Sequence, residues 1–183
     1  MARLTRDDWV AAAYERFTEQ GVDAIAVEPV ARAVGATKGS FYWHFADRAA
    51  LVDAVLDRWE DLQTEALIAE AERALGPREK LEQLVWTVTA QTPQRGGEAT
   101  LYTAAARNGV ADRVARVTER RVSYIAGLLA ALGLGQDESR NRAITLTASV
   151  VGYQQLVTTG WDSGVDSVER TAASLLEIAL GRA

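Results

Sequence analysis

The stretch VEPVARAVGATKGSFYWHFADR, residues 27–48, carries the most specific pattern in the chain. Apolar residues recur at helical spacing up to Val34, and a second short helix is expected over residues 38–44. Between them, Gly35 can adopt the positive φ of a tight helix end, and Thr37 is a good N-cap for the helix that follows. Two short helices joined by a three-residue, glycine-containing turn predict a helix-turn-helix.

The second helix of this motif has a composition that suits a DNA groove. Lys38 can reach a phosphate or a guanine, Gly39 permits close backbone approach, and Ser40 can donate or accept a hydrogen bond. Trp43 can lie along the sugar-phosphate wall or be partly buried, and both interpretations stay open. The predicted DNA contacts are Thr37, Lys38, Gly39, Ser40, Tyr42, Trp43, His44 and Arg48.

Other residues of the motif are expected to pack inward. Val30 and Ala31 can contact Phe41 of the second helix, and Phe45 is the aromatic residue best placed for the core. His44 is the only histidine, and no carboxylate precedes it nearby, so a phosphate contact is favoured over a metal site. The sequence predicts neither a metal nor a cofactor.

Residues 21–55 resemble the DNA-binding domain of the TetR/AcrR (tetracycline-repressor) family of bacterial transcriptional regulators. The matching elements are Val30-Ala31, Val34-Gly35, Thr37 to Tyr42, His44-Phe45, a basic residue at Arg48, and Leu51. There are two departures. Ala26 stands where the family usually has a capping threonine or serine, and Arg48 replaces the commoner lysine, with a different donor geometry.

The resemblance implies a DNA-binding transcriptional regulator, a repressor released from a palindromic operator by a small organic effector. It also implies a homodimer. Two rival functions stay open from the residues: a ligand-binding or adaptor protein that no longer binds DNA, and an enzyme using the C-terminal half. No Ser-His-Asp set, paired-carboxylate site or phosphate-binding glycine loop supports the enzyme.

Composition neither requires nor excludes DNA binding. The formal net charge is −5 and the pI about 5.0, although the stretch 29–46 holds Arg32 and Lys38 and no carboxylate. No apolar run approaches the roughly 18–20 residues that span a bilayer, and the N-terminus lacks the apolar core of a secretory signal. With no cysteine there is no disulfide framework. A cytoplasmic protein is therefore expected.

The rest of the chain is predicted to be all-α. An N-terminal three-helix domain (residues 1–46) is expected to join a C-terminal ligand-binding and dimerisation bundle (residues 47–183), with about nine helices in all. Pro29, Pro77 and Pro93 each fall where a helix can begin or has ended. The predicted helices cover 6–20, 27–34, 38–44, 48–74, 78–92, 98–107, 110–132, 137–159 and 166–181.

Aromatic and uncharged polar residues are scattered over the C-terminal helices. Aromatic residues at helical spacing usually belong to a core, but here threonine and glutamine stand beside them. A mostly apolar cavity for a small organic ligand is therefore predicted, chiefly from the resemblance. Its candidate residues are Trp86, Thr89, Tyr102, Tyr124, Tyr153 and Gln154.

The segment 143–152 carries no charge over nearly three helical turns, so it must be covered on every side. The resemblance implies that the last two helices form a four-helix dimer interface, whereas burial within a single subunit is the alternative. The predicted interface residues are Ala148, Ser149, Gly152, Leu156, Ala172 and Leu176.

Overall fold

The computed structural model describes residues 4–92, 96–161 and 168–181, and all regular structure in these ranges is helical. A 3₁₀ turn at Val22–Ala24 follows the first helix, and a π-helical turn at Asp61–Glu65 joins α4 to α5 without a break. The helices are α1 (Arg6–Gln20), α2 (Val27–Ala33), α3 (Lys38–Phe41), α4 (Arg48–Glu60), α5 (Ala66–Ala71), α6 (Pro77–Ala90), α7 (Gly96–Ala104), α8 (Ala111–Ala131), α9 (Gln136–Thr158) and α10 (Val168–Leu180).

The all-α prediction is confirmed. If α4, the π turn and α5 are counted as one rod, the described ranges contain nine helices, as predicted. Local signals located the first helix well. The Thr5 hydroxyl accepts a hydrogen bond from the backbone N–H of Asp8 (3.3 Å), and the Asp8 carboxylate accepts one from the backbone N–H of Thr5 (2.7 Å). This is the capping box expected of such a pair.

Some predicted boundaries were wrong. Helix α3 ends at Phe41, because a glycine and several aromatic rings make residues 38–44 a weak helix, and residues 42–44 form a turn. The rod that begins with α4 ends at Ala71 rather than near residue 74. The first two residues of the predicted helix 166–181 lie outside the described residues, as does Pro93.

The larger of two hydrophobic cores joins the N-terminal helices to later parts of the chain. Trp9, Phe17 and Trp59 are fully buried in it, together with Leu101 of α7 and Val117 of α8. The second core lies among α6, α8, α9 and α10. Apolar packing therefore crosses the predicted boundary at residues 46–47, which couples the helix-turn-helix mechanically to the bundle.

Ion pairs align α8 with the rod formed by α4 and the π turn. Arg116 binds Glu60 through two hydrogen bonds of 2.7 and 3.0 Å, and Arg120 binds Glu65 through two of 3.1 and 3.0 Å. Exposed pairs of this kind contribute little stability one by one. Their spacing along both helices nevertheless specifies one register between α8 and this rod.

Gly97 lets α7 pack directly against the end of α1. A Cβ atom at this position would lie 1.7 Å from the backbone oxygen of Phe17. No side chain fits between the two backbones, so this glycine is required by the contact between the N-terminal helices and the bundle.

We predict that Gly97→Ala lowers the free energy of unfolding by about 1–3 kcal/mol, because overpacking forces the two backbones apart. Equilibrium urea denaturation measures this. Gly127→Ala is the matched control, since that glycine lies inside α8 with open space around it and alanine should add roughly 0.5–1 kcal/mol. Equal stability of the two variants would contradict the packing described here.

Candidate functional site

Helix α3 is short but firmly held. The Thr37 hydroxyl accepts a hydrogen bond from the backbone N–H of Ser40 (3.2 Å), and the Ser40 hydroxyl donates to the backbone oxygen of Thr37 (2.8 Å). The ring of Phe41 is fully buried, with its centroid 5.6 Å from that of Trp9 and 5.4 Å from that of Phe45. The predicted N-cap and the predicted inward packing of Phe41 and Phe45 are therefore confirmed.

The opposite side of this segment faces solvent. Trp43 is 87% exposed and Tyr42 is 56% exposed, and Lys38 and Gly39 are exposed as well. His44 is half-buried, with its ring centroid 6.0 Å from that of Trp9. Of the two interpretations of Trp43, the structure favours the one in which the indole is available to a partner.

Gly39 is not needed for packing within the chain. A Cβ atom there would meet only the Thr37 hydroxyl, at an ordinary contact distance of 3.7 Å. The absent side chain therefore leaves room on the outer face of α3, where a nucleic-acid backbone could approach closely.

Lys38 has a partner that sequence reasoning missed. Its ammonium lies 3.0 Å from the Glu28 carboxylate, and both side chains are more than half exposed. The pairing raises the pKa of Lys38 and lowers the pKa of Glu28 through their mutual hydrogen bond. An exposed pair is weak, so a phosphate can replace the carboxylate at small cost.

Two further residues of the motif differ from the family pattern. Ala26 is the N-cap of α2 and provides no side-chain hydrogen bond, as its methyl group implies. Arg48 has a structural role that the sequence did not predict. Its guanidinium donates to the backbone oxygens of Ile25 and Val22 (2.5 and 3.0 Å) and to the side-chain oxygen of Asn108 (3.2 Å). Because Nε and Nη2 face inward, Arg48 acts as a clamp within the subunit, and its phosphate contact stays a prediction.

A cavity lies in the C-terminal bundle, with about 630 Å³ of empty space including its mouth. It is lined by Gln63, Thr64, Leu67, Ile68, Leu84, Val85, Val88, Arg121, Tyr124, Ile125, Leu146, Thr147, Val150, Val151 and Gln154.

Only two of the six predicted ligand residues, Tyr124 and Gln154, line this cavity. The others do not. Trp86 is exposed on the outside of α6, and the Thr89 hydroxyl donates to the backbone oxygen of Val85 (2.7 Å). Tyr102 lies behind the wall beside Arg121, and Tyr153 is not part of the lining. These predictions were wrong because helical periodicity does not show which face of each helix lies toward the cavity.

Arg121 is the residue of the cavity that sequence reasoning missed. Its guanidinium is mostly buried and pairs with the buried carboxylate of Glu98. It also donates to the Thr64 hydroxyl (2.8 Å) and to the backbone oxygen of Gln63 (3.1 Å). The sequence shows Arg121 only as one of several arginines of α8, so no local signal set it apart.

One face of α9 has no cover within the described chain. Ile144, Ala148 and Leu156 are exposed at helical spacing, and Gly152 has open space around it. On α10, Ile178 is exposed too, although the prediction did not include it.

One residue of the predicted interface needs correction. Ala172 is only 4% exposed because it belongs to the core of its own subunit. Leu176 is half-buried beside the same core, so its place in an interface stays a prediction. Ser149 is half-buried at the edge of the uncovered face of α9.

Comparison with known proteins agrees with this geometry. The family model described as "Bacterial regulatory proteins, tetR family" matches residues 10–55. The probable HTH-type transcriptional regulator ArpR of Pseudomonas putida is 35% identical over 42% of this chain and 37% of its own length. The tetracycline repressor protein class D of Escherichia coli is 36% identical over 30% of this chain and 25% of its own length. The chain therefore spans less than two fifths of these relatives.

Solved structures match along nearly the whole chain. A TetR-like transcriptional regulator from Rhodococcus sp. RHA1 has a TM-score of 0.76 at 21% identity, covering 98% of this chain and 96% of that one. A TetR transcriptional regulator from Legionella pneumophila has a TM-score of 0.79 at 16% identity, covering 96% and 97%. BioQ, solved with its double-stranded DNA operator, has a TM-score of 0.61 at 20% identity, covering 98% and 100%.

Together, the motif and the fold define a helix-turn-helix protein with an all-helical C-terminal bundle. Residues 10–55 match the tetR family model of bacterial regulatory proteins, and the described chain has the fold of the solved TetR-like regulators. In the described ranges no helix is both long and apolar enough to cross a membrane.

We predict that Arg48→Met lowers the free energy of unfolding by about 1–3 kcal/mol, because two backbone oxygens and the Asn108 side chain lose their donor. Urea denaturation of this variant and of Arg32→Met, a change at an exposed arginine of α2, measures the difference. Surface changes usually stay within about 0.5 kcal/mol. If Arg48→Met unfolds like the wild type, the arginine is not a structural clamp.

Proposed function

We propose that the chain is a cytoplasmic transcriptional repressor, not an enzyme, that binds DNA through the surface formed by Lys38, Gly39, Tyr42, Trp43 and His44. This proposal rests on the contrast between the buried side and the exposed side of the segment 37–44. Phe41 anchors it in the core, Thr37 caps it, and its outer face presents a cation, exposed aromatic rings and a glycine. Phosphate and groove contacts use these groups. The names of the curated relatives, a tetracycline repressor among them, also support regulation by repression.

The functional unit of the proposal is a homodimer. The uncovered apolar face of α9, with Ile178 of α10 beside it, is the surface on which a second copy would pack. A two-fold pair of helix-turn-helix domains reads two half-sites about 34 Å apart or slightly more, in successive major grooves. The operator is therefore an approximate inverted repeat.

One continuous rod connects the proposed effector cavity to the DNA-binding surface. Gln63 and Thr64, in the π turn, line the cavity, and the same rod begins at Arg48, which is clamped to the backbone of residues 22–25. An effector that displaces the π turn would shift this rod and change the separation of the two reading helices. Release follows because the effector and the DNA favour different states of the dimer.

For DNA binding, we predict that Lys38→Ala weakens the affinity for a fragment enriched from a randomised duplex library. The slope of log K against log salt concentration should become shallower by about 0.9 for each phosphate that the protein no longer neutralises. Fluorescence anisotropy at several salt concentrations measures both. Lys80→Ala is the matched control, because the chain has only these two lysines and Lys80 is paired with Glu72 outside the motif. If the library yields no bound duplex, the proposed function is wrong.

For the dimer, we predict that Gly152→Trp gives monomers in sedimentation velocity, since an indole would hold the two α9 helices apart. The subunit should still fold, because among the described residues no atom beyond the local helix backbone and chain neighbours lies within 4 Å of the added Cβ position. Gly127→Trp, on the exposed side of α8 with the same open space, should stay dimeric. Dimers in both variants would place the interface elsewhere.

A further inference from the structure

We infer that the cavity binds a neutral aliphatic molecule that carries a hydroxyl group, in preference to a carboxylate or an amine. This inference rests on the proposed function, because it names the chemical class of the effector. It depends on three properties of the lining residues. Most of their surface is apolar, and the charge of Arg121 is neutralised by Glu98. Two of them have a carboxamide oxygen with no hydrogen-bond partner among the described residues.

Most of the cavity wall is aliphatic. Of the fifteen lining residues, nine are leucine, isoleucine or valine, and Tyr124 supplies the only aromatic ring among them. Branched aliphatic side chains favour a ligand that is mainly hydrocarbon, since each buried CH₂ group gains free energy on leaving water.

The one charged side chain of the lining is already neutralised. Arg121 pairs with Glu98, which is 3% exposed, and its other donors bind Thr64, the Gln63 backbone and Tyr102. A carboxylate ligand would have to compete with Glu98 for this guanidinium, at the cost of weakening a buried ion pair. An ammonium ligand would meet no carboxylate among the lining residues. Both charged classes are therefore disfavoured.

Two lining residues have a carboxamide oxygen with no hydrogen-bond partner among the described residues. Gln154 is only 1% exposed, and its Oε1 atom is buried and unpaired. The Oε1 atom of Gln63 is unpaired in the same way, while its amide nitrogen donates to the Tyr14 hydroxyl (3.4 Å). A buried carbonyl without a partner costs stability, and a ligand that donates to it recovers that cost on binding.

The other polar groups of the lining are already engaged. The Tyr124 hydroxyl donates to Glu72 (2.7 Å), and the Thr147 hydroxyl donates to the backbone oxygen of Ala143 (2.8 Å). The glutamines are thus the groups that a ligand must satisfy. A hydroxyl both donates and accepts, so it matches a carboxamide in either orientation.

The experiment compares four probes with linear aliphatic chains by isothermal calorimetry on the full chain without DNA. They are 1-octanol, its isomer 1-methoxyheptane, octanoate and octylammonium. We expect 1-octanol to bind about tenfold more tightly than the isomeric ether, which cannot donate, and both ions to bind more weakly than the alcohol. Equal affinity of alcohol and ether, tighter binding of either ion, or no binding of any probe would overturn the inference.

A variant pair tests the role of Gln154 directly. Gln154→Leu should remove the preference for 1-octanol over 1-methoxyheptane and should raise the thermal midpoint of the free protein, since a buried unpaired acceptor is replaced by a hydrocarbon of similar size. Gln83→Leu, on α6 outside the lining, should keep the preference. A preference that survives Gln154→Leu would overturn the assignment.

Operator binding is measured separately on the enriched duplex. If the protein binds DNA but shows no preference for the alcohol, only the ligand class is wrong. If it prefers the alcohol but binds no duplex, the ligand class stands and the proposed repressor function fails.

Discussion

The buried guanidinium of Arg121 is the interaction around which the C-terminal bundle is arranged. It reaches three other elements: Glu98 of α7, the π turn through Gln63 and Thr64, and Trp59 of α4, whose ring lies 5.0 Å from the guanidinium carbon. A charge removed from water must have its partners in place, so these elements are held in one arrangement. The cavity lies beside this cluster. The Arg121 guanidinium is therefore part of the cavity wall, where its charge is already neutralised by Glu98.

The same arrangement links the cavity to the N-terminal helices. The rod that contains the π turn starts at Arg48, whose side chain holds the backbone of residues 22–25. π-helical turns inside α-helices are frequently found at functional sites. Clamped at one end and lining the cavity at the other, this rod can transmit a change at the effector site over its full length.

Features that depend on neighbours in sequence were predictable. The capping box of Thr5 and Asp8, the cap at Thr37 and the inward Phe41 all follow from spacing within a few residues. Features that depend on which helices pack against each other could not be predicted from the sequence. Arg48 turns inward because Asn108, sixty residues later, lies beside it, and Ala172 is buried because α10 packs on its own subunit. The residue pattern within one helix does not show which other helix it will contact.

A symmetric pair of these chains is proposed to read DNA through the Lys38 to His44 surface, and hydroxyl-radical footprinting of the bound duplex tests this proposal most directly. We expect two protected patches on one face of the duplex, with centres roughly 34 Å apart or a little more and with inverted-repeat sequences beneath them. A single patch, or two patches on opposite faces of the duplex, would contradict the symmetric mode of binding.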